Sequence, residues 1–221
     1  MIKEFEKRIL SSVILIPIAI FFIIKGSVFF SFFLSISFLA TSYEWIKMSK
    51  KNNLLKLLGI VFLLFSFYTA FEIREYKNFE YFLFICIFTD IGGYTFGKFF
   101  KGPKLTKISP KKTYSGVVGG YLFSIIFITL FFNNLDFISE LTKIEVTPQE
   151  LSFENFILTI YVSTASQLGD IIVSFFKRKS NIKDTGKIIP GHGGLLDRID
   201  GMIFALPFSY LIIYIYFNMI L

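Results

Sequence analysis

Two aspartates, Asp90 and Asp170, fall inside long apolar runs, and three more, Asp184, Asp197 and Asp200, are interleaved with bases between residues 177 and 200. A carboxylate left uncompensated in hydrocarbon costs at least a few kcal/mol, so acids in such runs point to a partner, a cation or a substrate. Asp90 precedes Lys98 by eight residues and Asp170 precedes Lys177 by seven. On a helix this sets each acid about 10–12 Å from that base, near the boundary where the apolar run ends. Gly92, Gly93 and Gly97 beside Asp90 equally describe a face on which two helices pack closely.

Two basic segments follow these acids. The first contains Ser109, Pro110, Lys111, Lys112, Thr113 and Gly116, with Gly119 and Gly120 beyond. Adjacent lysines, hydroxyls and glycines suit a polyanion, because ammonium groups and backbone amides can approach phosphate oxygens together. The same cluster also suits a topology signal or an anionic-lipid contact. The second segment runs through Ser174, Lys177, Arg178, Lys183, Asp184, Gly186, Pro190, Gly191, His192, Gly193, Gly194, Asp197, Arg198 and Asp200. Its alternation of bases, acids and glycines is not that of a solvated charge run. Asp197 and Asp200, three residues apart, are expected at the start of the last helix and on one face of it, where acids also complement the helix dipole. His192, the only histidine, could be an acid or base, a phosphate donor or a loop residue. The single cysteine, Cys86, lies in an apolar run, which excludes a disulfide framework and a thiolate metal centre. Carboxylates are the hard oxygen donors of a cation such as Mg²⁺.

These residues must be positioned by membrane helices. The chain has 221 residues, 54% of them hydrophobic, with 31 Phe and a single Trp, more apolar surface than a soluble domain of this length can bury. Runs of the length that crosses about 30 Å of hydrocarbon recur, and they predict an all-α transmembrane bundle of about seven spans, near 8–24, 28–46, 54–71, 79–97, 117–132, 153–176 and 200–221. Pro17 and Pro207 fall inside spans and are expected to bend them. The first run follows Lys3, Lys7 and Arg8 as a secretory signal would, but without a small-residue cleavage pattern after it, so it reads as a retained helix. We read residues 1–221 as one membrane domain, with N-terminal helices over 1–80, a catalytic core over 81–221, and polar loops at 98–116 and 177–199. The net charge is +7, but the bases lie between apolar spans, which argues for lipid and phosphate contacts and against nucleic acid. With seven spans, nineteen of the 23 Lys and Arg fall on one side; the other receives Lys25, Arg74, Lys77 and Lys143 and many of the acids, including Glu72, Glu75, Asp136, Glu140, Glu145 and Glu150. The positive-inside rule then places the N-terminus, Lys50, Lys51 and both basic loops in the cytoplasm.

The stretch from Ser174 to Asp200 resembles the signature of the phosphatidate cytidylyltransferase family in essentially every position. Asp90 to Gly97, the Ser-Pro-Lys-Lys-Thr segment and Gly169-Asp170 are similar to further blocks of that family in the same order, and Glu44-Trp45 resembles a weaker one. The resemblance is firm over about residues 90–120 and 167–207. Ser115 and Val173 stand where members often carry Glu, so neither Glu is an indispensable ligand here. The Asp-Gly-x-x-Ala-Arg pattern of CDP-alcohol phosphotransferases is not found.

The resemblance implies cytidylyl transfer from CTP to phosphatidate, giving CDP-diacylglycerol and pyrophosphate, by a homodimer in a bacterial-type inner membrane. It implies that Asp170 and Asp197 hold Mg²⁺, alone or with a second cation, at one centre, with Asp200, Asp184 and Asp90 as further candidate acids. Lys183 and Arg198 belong to the catalytic set. Lys111, Lys112, Lys177 and Arg178 would bind the phosphates, Ser109, Thr113, Gly193 and Gly194 would shape the loops, and His192 would line the substrate site. Another CTP-dependent lipid nucleotidyl- or phosphotransferase remains the alternative within enzymes. A cation-coupled transporter is the alternative from another class, since intramembrane acids also mark ion pathways.

Overall fold

The computed structural model describes residues 4–49, 52–75, 79–134 and 153–220. Of the charges counted above, Lys3, Lys50, Lys51, Lys77, Asp136, Glu140, Lys143, Glu145 and Glu150 lie outside the described residues. Eight helices and no strand occur among the described residues: α1 Glu4–Lys25, α2 Ser27–Met48, α3 Asn53–Glu75, α4 Phe79–Phe100, α5 Tyr114–Asn133, α6 Phe153–Lys179, α7 Leu196–Ile199 and α8 Met202–Ile220. The first six are long and apolar enough to cross a membrane, and α8 carries a shorter described apolar stretch, Met202–Ile215. Leu10, Val13, Val28, Leu39, Leu57 and Val61 are among many large apolar side chains turned outward, the surface that a bilayer covers. This is an integral membrane protein.

The expected last span corresponds to α8, but Asp197 and Asp200 do not start it. Asp197 lies in the one-turn helix α7 and Asp200 ends that turn, before Gly201 breaks the path into α8. A β-carbon on Gly201 would stand 2.9 Å from the Ser166 carbonyl oxygen, so the chain passes α6 at a distance only glycine permits.

Local signals explain the ends. Asn52 Oδ1 accepts the Leu55 amide (3.0 Å) and caps α3, while Thr113 Oγ1 accepts the Gly116 amide (3.1 Å) and caps α5, each satisfying a donor that the first helical turn leaves open. α6 ends in a Schellman arrangement: Ile182 N–H reaches the Lys177 carbonyl and Asn181 N–H the Arg178 carbonyl, both at 3.0 Å. Asn181 takes the left-handed conformation (φ 55°) that this cap requires.

The chain divides into two compact units, residues 1–71 with 176–200, and residues 72–175 with 201–221. In the first, Trp45 of α2 donates Nε1–H to the Leu55 carbonyl (3.0 Å) and packs edge-on against Phe176 at 5.2 Å. Gly59 lies so close to the indole that any side chain there would overlap it.

In the second unit α4 and α5 meet through glycine. A β-carbon on Gly92 would overlap the Gly119 carbonyl oxygen and stand 2.6 Å from Phe123 Cβ. This is the packing face that Gly92, Gly93 and Gly97 suggested. Hydroxyl pairs join α4 and α5 to α6: Tyr81 with Thr159 (3.1 Å), Thr89 with Ser163 (2.9 Å) and Tyr121 with Thr164 (2.8 Å). In an apolar solvent such pairs and close backbone approach replace the hydrophobic effect as the force between helices. Gly92→Ala is therefore expected to cost about 1–3 kcal/mol, the usual effect of overpacking, in equilibrium unfolding of the purified protein in detergent. Unchanged unfolding would contradict the glycine contact.

Candidate active site

The loop from Ser180 to Leu195 is built around two carboxylates. Glu44, on α2, is 0% exposed. Its Oε1 accepts the Leu195 amide (3.0 Å), and its Oε2 accepts the Leu196 amide (2.8 Å) and the Thr185 hydroxyl (3.0 Å). It thus caps α7 from a different helix, satisfying donors that α7 leaves open at its start. Asp197, with a side chain 4% exposed, accepts the amides of Thr185 (2.8 Å) and Gly194 (2.9 Å) on Oδ2. Its Oδ1 meets Lys177 Nζ at 2.9 Å, and Asp200 Oδ2 lies 3.6 Å from the same ammonium. The one-face reading of Asp197 and Asp200 therefore holds on α7, where both turn toward Lys177.

The glycines of the loop make room for these acids. A β-carbon on Gly186 would stand 2.5 Å from Glu44 Oε1, one on Gly194 2.5 Å from Oε2, and one on Gly193 2.9 Å from Asp197 Oδ2. Ile189 to His192 forms a β-turn closed by the His192 amide on the Ile189 carbonyl (3.0 Å). Pro190 and Gly191 (φ 76°) occupy its centre, the order that a type II turn demands.

α1 closes over this turn. Arg8 donates Nε–H to the Gly191 carbonyl (2.9 Å). Ser11 Oγ lies 3.0 Å from the Arg8 carbonyl and 2.8 Å from His192 Nδ1. Burial, Arg198 and Arg8 lower the His192 pKa from its ordinary value. Arg198 Nη2 donates to the His192 carbonyl (2.9 Å). With the acids facing the loop backbone, Arg178, Lys183, Lys187 and Arg198 are exposed, as is Asp184.

The second unit holds the other basic segment. Lys112 N–H returns to the Ser109 carbonyl (3.0 Å) and Leu105 N–H to the Lys112 carbonyl (2.8 Å), so Ser-Pro-Lys-Lys is a β-turn with proline at its favoured second position. Lys112 Nζ lies 2.6 Å from Asp170 Oδ2, and Ser174 Oγ reaches Asp170 Oδ1 at 3.4 Å. Lys111 is exposed. Thr113 is occupied as the cap of α5 and in a 2.9 Å contact with Ser115 Oγ, whose hydroxyl donates to the Lys101 carbonyl. Val173, at the second departure from the family pattern, is buried. Asp90 is exposed on α4.

Glu44 is the residue of this site that sequence reasoning left without a role. It sits within the predicted span 28–46, where an acid is itself a signal, but its partners lie 141 to 152 residues away.

Lys177 is the cation that balances Asp197 and Asp200. Removing one partner of a buried charge cluster costs about 3–5 kcal/mol, so Lys177→Met should destabilise the protein by that order. Equilibrium unfolding in detergent measures it, and an unaltered midpoint would show that the two acids do not depend on this ammonium.

Residues 53–216 match the profile of the cytidylyltransferase family, a region that contains both basic segments and all of the acids above except Glu44. A phosphatidate cytidylyltransferase of Rickettsia bellii (strain RML369-C) is 34% identical over 218 residues, covering 93% of this chain and 89% of that protein. The enzyme of that name from Rickettsia felis is 32% identical over 93% of this chain and 90% of its own length. One from Staphylococcus saprophyticus is 35% identical over 79% of this chain and 65% of its own length. The chain belongs to the cytidylyltransferase family.

Proposed function

We infer that this protein transfers a cytidylyl group from CTP to phosphatidate, giving CDP-diacylglycerol and pyrophosphate for phospholipid synthesis. The observation that carries the reading is the pattern of charge pairing. Asp170 is met by Lys112, and Asp197 and Asp200 by Lys177, while Lys111, Arg178, Lys183, Lys187 and Arg198 are exposed. Exposed bases beside acids already neutralised by lysine suit a polyanion better than an isolated cation in transit, which favours a nucleotide enzyme over a transporter.

The reaction asks little of a general base. A phosphomonoester with a second pKa of about 6 is largely dianionic at neutral pH, so a phosphatidate oxygen can attack the α-phosphorus directly. The new P–O bond forms as the bond from the α-phosphorus to the bridging oxygen breaks, and pyrophosphate leaves with the electron pair. The barrier lies in bringing two polyanions together and in stabilising the departing charge. Lys183, Arg198, Arg178, Lys111 and Lys112 serve that task in this reading, while Ser109, Gly193, Gly194 and Thr113 hold the turns that present them. His192, held against Ser11 through Nδ1, serves as a loop anchor.

Among the described residues, no three His, Cys, Asp or Glu side chains gather as a closed metal cage. Mg²⁺ is ordinarily bound by one or two carboxylates together with substrate phosphates. The hard oxygens of Asp197 and Asp200, already facing one ammonium, fit that donor set, and Asp170 is the further carboxylate we assign to it. When bound, the cation neutralises phosphate charge and polarises the phosphoryl oxygens. The same reading includes a homodimer in a bacterial-type inner membrane, with both basic loops on the cytoplasmic side, where the nucleotide is.

The test is incubation of the purified chain with labelled CTP and phosphatidate, with extraction of lipid-linked cytidine. Lys183→Ala should raise the apparent KM for CTP by about 10- to 150-fold, as for one charge-assisted bond. Asp170→Asn should lower turnover by at least about 10²-fold. Monodisperse wild-type protein that yields no lipid-linked cytidine would overturn the assignment.

A further inference from the structure

We propose that Glu44 is a positioning residue for CTP, acting through the backbone that carries Asp197 and Arg198. The inference rests on the reading of residues 177–199 as a nucleotide-phosphate site. Three observations lead to it. Glu44 is fully buried on a helix of apolar sequence. Among the described residues, its three hydrogen bonds go to that loop and to the first turn of α7. Both glycines that face it, Gly186 and Gly194, are placed so that a β-carbon would stand 2.5 Å from one of its oxygens.

Glu44 and Asp197 grip the same two pieces of chain. Glu44 holds the Thr185 hydroxyl and the amides of residues 195 and 196, while Asp197 holds the amides of residues 185 and 194. The segment between these pieces, residues 186–193, carries Lys187, the Pro190-Gly191 turn and His192. Fixing its two ends fixes where those groups stand. It also fixes the orientation of α7, which carries Asp197 and Arg198 on consecutive positions. The attachment of α2 within its unit does not depend on Glu44, because Trp45 provides separate contacts with Leu55, Gly59 and Phe176. Loss of the carboxylate is therefore expected to loosen the loop and leave the helices in place.

Glu44→Gln keeps the volume but puts an amide NH₂ where an acceptor is needed, leaving at least one N–H or hydroxyl unpaired. Thr185→Val removes one of the three bonds. Gly194→Ala reaches the carboxylate from the loop side. The full-length protein in detergent is examined by hydrogen exchange over peptides within residues 183–199, 53–75 and 79–100, and by steady-state kinetics with CTP and phosphatidate varied separately.

In Glu44→Gln, exchange should quicken in 183–199 alone, and the apparent KM for CTP should rise by about tenfold or more, with the KM for phosphatidate changing less. Thr185→Val should show a smaller shift and Gly194→Ala a similar one, in the same direction. Wild-type exchange and CTP kinetics in Glu44→Gln would overturn the proposal. So would faster exchange across all three regions, since that marks a general structural role. Quickened exchange in 183–199 with equal KM increases for both substrates would overturn it too. A wild-type chain without cytidylyl transfer contradicts the proposed function instead, and exchange with titration of CTP alone then decides whether Glu44 sets nucleotide binding.

Discussion

Carboxylates taken out of water must be met by donors, and in the first unit that requirement organises everything around it. Glu44 and Asp197 draw the backbone amides of residues 185, 194, 195 and 196 toward them. Backbone can approach a carboxylate that closely only where no side chain intervenes, which accounts for glycine at 186, 193 and 194. Lys177 balances Asp197 and Asp200, and the remaining bases are left on the outside of the loop. A sequence that looks like a phosphate-binding glycine loop is thus first a loop folded around two acids. Its exposed cationic surface follows from that folding.

The second unit obeys a different constraint, imposed by the bilayer. Helices surrounded by lipid gain nothing from hiding apolar side chains from one another, so their contacts rely on close packing and hydrogen bonds. Gly92 and Gly119 bring α4 and α5 together, and Tyr81–Thr159, Thr89–Ser163 and Tyr121–Thr164 tie them to α6. Asp170, on α6, finds its counter-charge in Lys112 at the end of the Ser-Pro-Lys-Lys turn. Proline and the turn hydrogen bond set that lysine's place with little freedom to lose.

The helices were legible because an apolar run of span length has few alternatives, and the two basic segments because their composition fits neither a span nor a soluble helix. The resemblance of residues 174–200 to a long family signature carried the activity. Glu44 was not legible as a site residue, because nothing local announces that an acid beside Trp45 will cap a helix 152 residues later. The position of Asp197 and Asp200 was misread for a related reason. Asp-Arg-Ile-Asp has helical spacing and is followed by apolar sequence, but Gly201 lies against the Ser166 backbone and separates a single turn from α8. Thr113 and Gly194 carry structural duties, as a helix cap and as space for a carboxylate. Those duties are invisible until the partner is seen.

The central claim is that the loop folded around Glu44 and Asp197 is where the nucleotide's phosphates bind. An experimental structure of the full chain in lipid, with Mg²⁺ and a CTP analogue that cannot transfer its cytidylyl group, tests it most directly. Phosphate oxygens are expected within hydrogen-bonding distance of Lys183 or Arg198, with Glu44 still on the amides of Leu195 and Leu196. A nucleotide whose phosphates lie away from residues 177–199 would contradict it.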